Sequence, residues 1–504
     1  MLKEKGIYML YPAIKQEKNG LLIALIKRAD LFSRNGVKVN ICTLSYNPMV
    51  NLLYKDLYAS RLLDSDVSEN INFFNLYSYY QKNEFSIDFN PEDSIKITIE
   101  EKNIESDTLG NIKVFDDRNK LCKYYVKNKQ GILSHINIFE SGKIVKRLKF
   151  NEKGILSSSQ VLDSNRLILA EDFYDINNHL VLSRNYNKEG KVVSLYLYED
   201  GGIISRKFSS EIELFEYTLS KISENEHKIY IIDRAIVFAR NILLNKRENS
   251  TVIGIIHAAH YSKAREKDSK TNAHYKSYIE NLEKIDHLIF LTEKQKNDFS
   301  KRFGSYPNYT VIPHFYKRAT FENSLNSRQK YKCVCLARFD KVKRLDLLIE
   351  LFGEIHRKIP EATLDIYGFG PEKENLIKTI ENNNLVGVVR LLDFVSDVNS
   401  VLKNADLMLF TSGSEGFCMA ILDSLKNGCP VISFDIDYGP SEMIINDYNG
   451  YLIEDNDTEK FINSTIELLN NREKISFFHK NCAKSVWRFN DENNFKLWKN
   501  IIFK

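Results

Sequence analysis

The segment TSGSEGFCMAILDSLKNGCPVISFDIDYGPS, residues 411–441, sets a carboxylate, Glu415, beside Gly416 in a polar loop. An apolar run at 407–410 enters that loop, and a helical pattern through Phe417, Ala420, Ile421, Ser424 and Leu425 leaves it, stopping at Gly428. Residues 430–434 then read as a second buried strand. Strand, glycine loop, helix and strand compose a βαβ unit, which opens for a ligand at the carboxyl end of its first strand. Backbone N–H groups at a helix start favour an anion there. Glu415 could accept hydrogen bonds from the hydroxyls of a polyol, or it could merely help the helix start. Asp423, two turns further along the helix, either joins the site or faces water.

Three other stretches carry chemistry. The turn RFDKVKR, residues 338–344, follows a strand at 332–337 and precedes a helix at 345–358. Arg338 and Lys343 thus put cationic donors where a diphosphate would meet a helix N-terminus, unless the turn is only a solvated basic loop. The stretch HAAHYSKAREKD begins at the end of a strand at 252–256, which sets His257 and His260 where open α/β sheets bind ligands. The loop Lys18-Asn19-Gly20, ahead of a helix at 21–35, could approach a phosphate or an acceptor, or be only a turn. Asp435 and Asp437 have the spacing of a metal-binding pair, but at a strand end in this pattern they read mainly as structural.

These residues must be held by a repeated α/β framework. Strand, loop, helix and strand over residues 5–46 open a doubly wound domain. Between 85 and 205 helical periodicity disappears. Turns at Asn119, Gly131, Gly142, Gly154, Asn165, Asn178, Gly190 and Gly201 recur at roughly 12-residue intervals, predicting an antiparallel meander of hairpins. It carries no cluster of catalytic side chains and reads as an interaction platform or a structural insertion. The α/β pattern then returns: strands at 229–232, 252–256, 286–291 and 310–313, and helices at 235–244, 272–282 and 293–303. A polar linker at 318–330 leads to further strands at 332–337, 363–367, 388–392 and 407–410, with a tight turn Gly368-Phe369-Gly370-Pro371. The expected domains are 1–84 with 206–317, the insertion 85–205, a second α/β domain at 318–482, and a terminal helix at 483–504. That helix carries Trp487 and Trp498 and could cross back onto the first domain.

Composition narrows the classes. With 43% hydrophobic and 27% charged residues, the 504-residue chain can bury several cores. A net charge of +4 spread over that length argues against a dedicated nucleic-acid binder. No apolar run approaches the ~20 residues that span a bilayer. The seven scattered cysteines form no CxxC pair, which predicts a reduced, cytoplasmic protein without structural zinc.

The motifs LARFDKVKRLDLLIELF, DIYGFGPEKENL, DLMLFTSGSEGFCMAILDSLKNGCPVISFD and YGPSEMI, in this order, resemble those of family 4 retaining glycosyltransferases. The resemblance covers 332–454 closely and 7–313 more loosely. It implies the GT-B fold, an α/β architecture of two Rossmann-like domains facing a cleft, here with the antiparallel meander inserted in the N-terminal one. The family spaces two glutamates seven residues apart; Glu415 matches the first, and Asp423, one methylene shorter, replaces the second. By resemblance, Arg338 and Lys343 neutralise the donor diphosphate without a metal, and Glu415 holds sugar hydroxyls with the backbone of Gly416 and Phe417. His257 or His260 contacts the transferred sugar. Asn19, Gly20, Asp393 and Asp423 complete the implied nucleotide-sugar set, and the departing phosphate helps to take the acceptor proton in a front-face attack.

The meander narrows the resemblance to Gram-positive enzymes that glycosylate wall teichoic acid or serine-rich surface proteins. The implied donor is a UDP-sugar carrying a hexose or N-acetylhexosamine, with no other cofactor. The loop and helix KNGLLIALIKRADLF favours a polyol-phosphate acceptor. A serine-rich protein acceptor, or a non-catalytic acceptor-binding subunit, are the alternatives. The meander would serve a homo-oligomer or a partner glycosyltransferase subunit. The expected location is cytoplasmic, with room for peripheral association at the inner face of the membrane.

Overall fold

The computed structural model describes residues 5–17, 19–60, 62–90, 92, 94–95, 99–101, 103–199, 202–222, 224, 226–263, 266–318, 328–395 and 397–503. Lys18, the turn at Gly201, residues 264–265 and linker residues 319–327 lie outside them. The chain divides into two compact units, Met1–Val252 and Ile253–Lys504.

In the first unit, β1 (Lys5–Tyr11) is a near-continuous apolar run, as a parallel strand covered on both faces must be, and β2 (Val39–Thr43) and β3 (Ile71–Asn75) follow it with Asn40 half-buried and Asn72 exposed. Asn19 caps the intervening helix Gly20–Arg34, its side chain accepting from the Leu22 amide at 2.9 Å. Leu22, Leu25, Ile26, Ala29 and Phe32 recur at helical spacing and form its buried stripe.

Ten antiparallel strands follow in sequential order: β4 (Ile104–Ser106), β5 (Ile112–Phe115), β6 (Leu121–Lys127), β7 (Leu133–Glu140), β8 (Lys143–Phe150), β9 (Leu156–Leu162), β10 (Ile168–Tyr174), β11 (Leu180–Tyr186), β12 (Val192–Glu199) and β13 (Ile203–Phe208). One local device builds most of their turns. Asp107, Asp116, Asn128, Asn151, Asp163, Asp175 and Asn187 each accept hydrogen bonds from the amides two and four residues on. The residue three positions after each adopts positive φ, from Gly110 and Asn119 through Arg166 to Gly190. At the sixth of these turns the left-handed residue is Asn178, as expected; at the fifth it is Arg166 rather than Asn165.

After the meander, β14 (His227–Ile232) returns to the parallel set, giving the order β14-β1-β2-β3 within this unit.

Strand β15 (Ser250–Ile256) crosses the unit boundary. In the second unit it is followed by β16 (His287–Phe290) and β17 (Tyr309–Val311), all parallel. A six-stranded parallel sheet comes next: β18 (Lys332–Leu336), β19 (Thr363–Tyr367), β20 (Val389–Leu392), β21 (Leu407–Phe410), β22 (Val431–Asp435) and β23 (Gly450–Glu454). Its order is β20-β19-β18-β21-β22-β23, so the winding reverses between β18 and β21. The loops leaving those two strands therefore flank the crevice in which open α/β sheets take ligands.

Two expected helices are broken. Residues 272–282 form a 3₁₀ turn, Ala273–Tyr275, which Asn272 caps by accepting from the His274 amide at 3.1 Å, and then a one-turn helix, Lys276–Ile279. The terminal helix ends at Ser485 and restarts as Asp491–Ile502, where Asn490 caps it through the Asn493 amide at 2.8 Å. Asn494 of the restarted helix donates to the Pro313 carbonyl at 2.7 Å, and the Tyr316 amide donates to Phe489 O at 3.0 Å. Among the described residues no helix is long and apolar enough to cross a membrane.

Candidate functional site

The basic turn after β18 and the glycine loop after β21 are stitched together by backbone carbonyls. Arg344 sits in the left-handed region (φ 50°) and aims its guanidinium at Thr411 O (2.6 Å), Ser412 O (3.1 Å) and the Asp455 carboxylate (2.8 Å). In return the Gly413 amide donates to Val342 O at 2.7 Å, and the Thr411 hydroxyl lies 3.1 Å from Lys343 O. Gly368 completes the floor: a Cβ there would stand 1.9 Å from Ala337 O, so only glycine lets the turn after β19 lie against the end of β18.

This stitching brings the Lys343 ammonium onto the Glu415 carboxylate, and each side chain keeps 16% exposure. Burial alone would lower the Lys343 pKa. The charge and hydrogen bond of Glu415 outweigh it and hold the pKa above its ordinary value, so the ammonium stays charged. Arg338 is far more open, at 62% exposure, and pairs with Asp340 at 2.5 Å.

Beyond β15 the chain closes on the same loop. A Cβ on Gly416 would lie 1.9 Å from His257 O, so the glycine is required by backbone approach rather than by its own φ. The His257 and Ala258 amides both donate to the Tyr275 hydroxyl, at 3.0 and 2.8 Å, and the Gln295 amide group donates to Ala258 O at 2.8 Å. The His257 ring stacks on His314 with centroids 5.6 Å apart, and His314 meets the buried Phe417 edge-on at 5.6 Å. Phe417 thus packs by its side chain and offers the site only its backbone.

The two histidines part company. His257 is half-buried at the loop, whereas His260 is enclosed by Tyr261, Phe299 and Phe303 with edge-on centroids at 5.2, 5.3 and 5.8 Å. Burial, reinforced by Arg302, depresses the His260 pKa to about 4. The remaining residues each have their own local setting. Asn19 and Gly20 start a helix of the first unit, and a Cβ on Gly20 would meet nothing within 4 Å. Asp393 is exposed near Lys373 at 3.3 Å, and Asp423 pairs with Lys426 at 2.6 Å, one turn along its helix. Asp435 is exposed, while Asp437 accepts a hydrogen bond from Tyr261. Among the described residues no group of three or more His, Cys, Asp or Glu is placed to hold a metal ion. Sequence reasoning missed Arg344, Tyr275 and His314. Only Arg344 carried a signal, as the last of four basic residues in the turn.

Residues 317–485 match the family described as glycosyl transferases group 1. This stretch is a group 1 glycosyltransferase domain. It contains β18 to β23 and both loops of the Lys343–Glu415 pair. The whole chain is 26% identical to a poly(ribitol-phosphate) alpha-N-acetylglucosaminyltransferase of Staphylococcus aureus (strain COL), over 99% of each sequence. It is 25% identical to a poly(glycerol-phosphate) alpha-glucosyltransferase of Bacillus subtilis (strain 168), over 78% of this chain and 56% of that enzyme, so it spans little more than half of that relative. Its fold matches the crystal structure of the pneumococcal O-GlcNAc transferase GtfA, solved with UDP and GlcNAc, at a TM-score of 0.83 and 20% identity, covering 100% of this chain and 99% of that one. The group 1 domain and its neighbours therefore belong to the GT-B fold, with a large antiparallel sheet added.

Proposed function

We propose that this protein is a metal-independent, retaining glycosyltransferase that moves a hexose or N-acetylhexosamine from a UDP-sugar to a hydroxyl of a polyol-phosphate chain. The observation that carries the reading is the Lys343–Glu415 pair at the sheet's switch point. Each group spends little of its bonding capacity: the ammonium has three N–H donors and the carboxylate two acceptor oxygens. An incoming diphosphate draws Lys343, with Arg338 adding charge from the open side. Glu415, released from its partner, accepts from sugar hydroxyls. Fixed cations stabilise the leaving UDP, and its phosphate takes the acceptor proton. His257, rather than the enclosed His260, is the histidine we assign to the sugar. Asn19, Gly20, Asp393 and Asp423 stay in the proposed donor set as secondary contacts.

Relatives that act on poly(ribitol-phosphate) and poly(glycerol-phosphate) support the acceptor class. A hydroxyl of a serine-rich protein is the second reading, supported by the fold shared end to end with an O-GlcNAc transferase. Under either reading the meander serves as a docking face for the acceptor chain or for another subunit, and the protein works in the cytoplasm, at or near the inner face of the membrane. A purely acceptor-gripping role fits poorly with the retention of Arg338, Lys343 and Glu415 together.

The test is a panel of UDP-sugars scored for UDP release, alone and with poly(ribitol phosphate), poly(glycerol phosphate) or a serine-rich peptide. One donor should respond to a polyol-phosphate acceptor, and Glu415→Ala should lower its kcat by about 10²–10³-fold. Undiminished turnover in Glu415→Ala would remove the pair from the site.

A further inference from the structure

Asp437 has the spacing of a metal-binding pair with Asp435, but its surroundings give it another task. One carboxylate oxygen accepts a hydrogen bond from the Tyr261 hydroxyl, and the other lies 3.7 Å from Lys267. Lys267 also pairs with Asp298 at 2.7 Å, and the Tyr438 hydroxyl reaches the same carboxylate at 3.3 Å. Tyr261 and Tyr438 are 3% and 0% exposed and pack with Ala259. The cluster is therefore a charge-assisted network in which each buried tyrosine hydroxyl has a carboxylate acceptor, while Lys267 stays partly exposed.

The loop that carries Asp437 touches both halves of the site. Two residues on, Gly439 lies against the glycine loop: a Cβ there would be 2.4 Å from Phe417 O. Four residues before Tyr261 is His257, whose carbonyl rests against Gly416. Between them Asn272 holds the segment from behind, donating its side-chain amide to Ala259 O (3.0 Å) and its backbone amide to His260 O (2.9 Å). The Tyr261–Asp437 hydrogen bond ties the far end of segment 257–261 to the group 1 domain, with Tyr438 packed beside it.

We propose that Asp437 and Tyr261 are positioning residues, fixing segment 257–261 against the glycine loop so that His257 is presented at a set distance from Glu415 and Lys343. The proposal rests on the glycosyl-transfer reading for its kinetic arm only. A hydrogen bond from Tyr261 to a carboxylate fixes one rotamer of the ring and so one height of the segment. Without it the segment keeps its packing but loses its lateral register, and a displacement of about 1 Å in a reacting geometry is worth on the order of 10²-fold in rate.

The experiment compares Tyr261→Phe, Asp437→Asn and Asp437→Ala with the wild type in two ways. In sugar transfer, Tyr261→Phe and Asp437→Ala should lower kcat about 10- to 100-fold while the Kd for UDP stays within about twofold. Asp437→Asn, which keeps an acceptor oxygen, should fall between them and the wild type. In amide hydrogen exchange without substrate, residues 256–262 should exchange faster in Asp437→Ala than in the wild type. Wild-type kcat in Tyr261→Phe, a kcat loss no greater than the loss of folded protein, or unchanged exchange over 256–262 each overturns the proposal. So does an activity that EDTA removes and Mg²⁺ or Mn²⁺ restores only while Asp437 is present, because that makes Asp437 a metal ligand. If the wild type releases UDP from no sugar nucleotide, the transfer reading fails, and the exchange measurement alone decides the tie.

Discussion

The base of the meander and the glycine loop hold charge in opposite ways. At the base of the meander, Glu171 has no exposed side-chain surface and accepts from Ser158 (2.8 Å), Gln160 (3.0 Å), Tyr186 (3.1 Å) and twice from Arg184 (2.6 and 3.1 Å). Arg184 goes on to Glu211 at 2.7 Å and to the Tyr77 hydroxyl at 2.9 Å, and its guanidinium lies over the rings of Phe173 and Tyr77, 5.0 and 5.3 Å from their centroids. At the glycine loop, Lys343 and Glu415 have each other and, among the described residues, no further side-chain hydrogen bond. A saturated cluster has nothing left to offer a ligand, and its many bonds repay the desolvation of its charges. A partly exposed pair with unused donors and acceptors can still take up a ligand, and under the proposed function these go to a diphosphate and a sugar. Bond count, rather than burial alone, distinguishes the two clusters.

The largest effect should come from breaking the anchor. Arg184→Ala leaves the Glu171 carboxylate buried without its main counter-charge, and the expected loss is about 3–5 kcal/mol in urea unfolding. The pH dependence has a definite sign. Burial raises the Glu171 pKa, but Arg184 and Lys149 outweigh burial and hold it below the ordinary value of 4.5. Its contribution is therefore present above that value and is lost as pH falls through the folded-state pKa. Turnover per folded molecule should stay close to wild type. A stable Arg184→Ala protein with abolished transfer would reverse the comparison and make the meander base part of the site.

A smaller effect, and on binding rather than folding, is expected at the pair. Lys343→Ala should weaken UDP about 10- to 100-fold by calorimetry, the range of a charged hydrogen bond worth about 1.5–3 kcal/mol. Arg338→Ala should do less, about three- to tenfold, because a 62% exposed guanidinium already paired with Asp340 acts through solvent. Equal losses at the two positions would mean that ligand binding buries Arg338 as deeply as Lys343.

Much of the framework was legible because local rules agree with the fold. The helices at 235–244, 293–303 and 345–358 and the strands at 363–367 and 407–410 have the bounds their periodicity predicts. The meander could be read because an Asx side chain and a left-handed residue recur at nearly fixed spacing, a device confined to five consecutive residues. What stayed hidden depends on partners distant in sequence. Gly416 is required by His257 O, 159 positions earlier, and Arg344 works through carbonyls that its own neighbourhood does not reveal. The break before Asp491 arises where Asn490 caps a new helix while Phe489 O accepts from Tyr316. His257 and His260 looked alike in sequence, because the rings that enclose His260 come from residues 299 and 303 on another element.

That last difference yields the smallest effect. The folded-state pKa of His260 is about 4, against an ordinary value of 6.5, since burial first and Arg302 second penalise its charge. The unfolded chain takes up the proton first, so stability falls as pH drops from 6.5 towards 4. Between pH 7 and pH 5 the share owed to His260 is about 2 kcal/mol. His260→Phe, which keeps an aromatic ring among Tyr261, Phe299 and Phe303, should flatten the slope by that amount in paired urea titrations at the two pH values. If His260→Phe leaves the slope as it was, the imidazole is protonated in the folded protein, has access to water, and returns to stand beside His257 as a sugar contact.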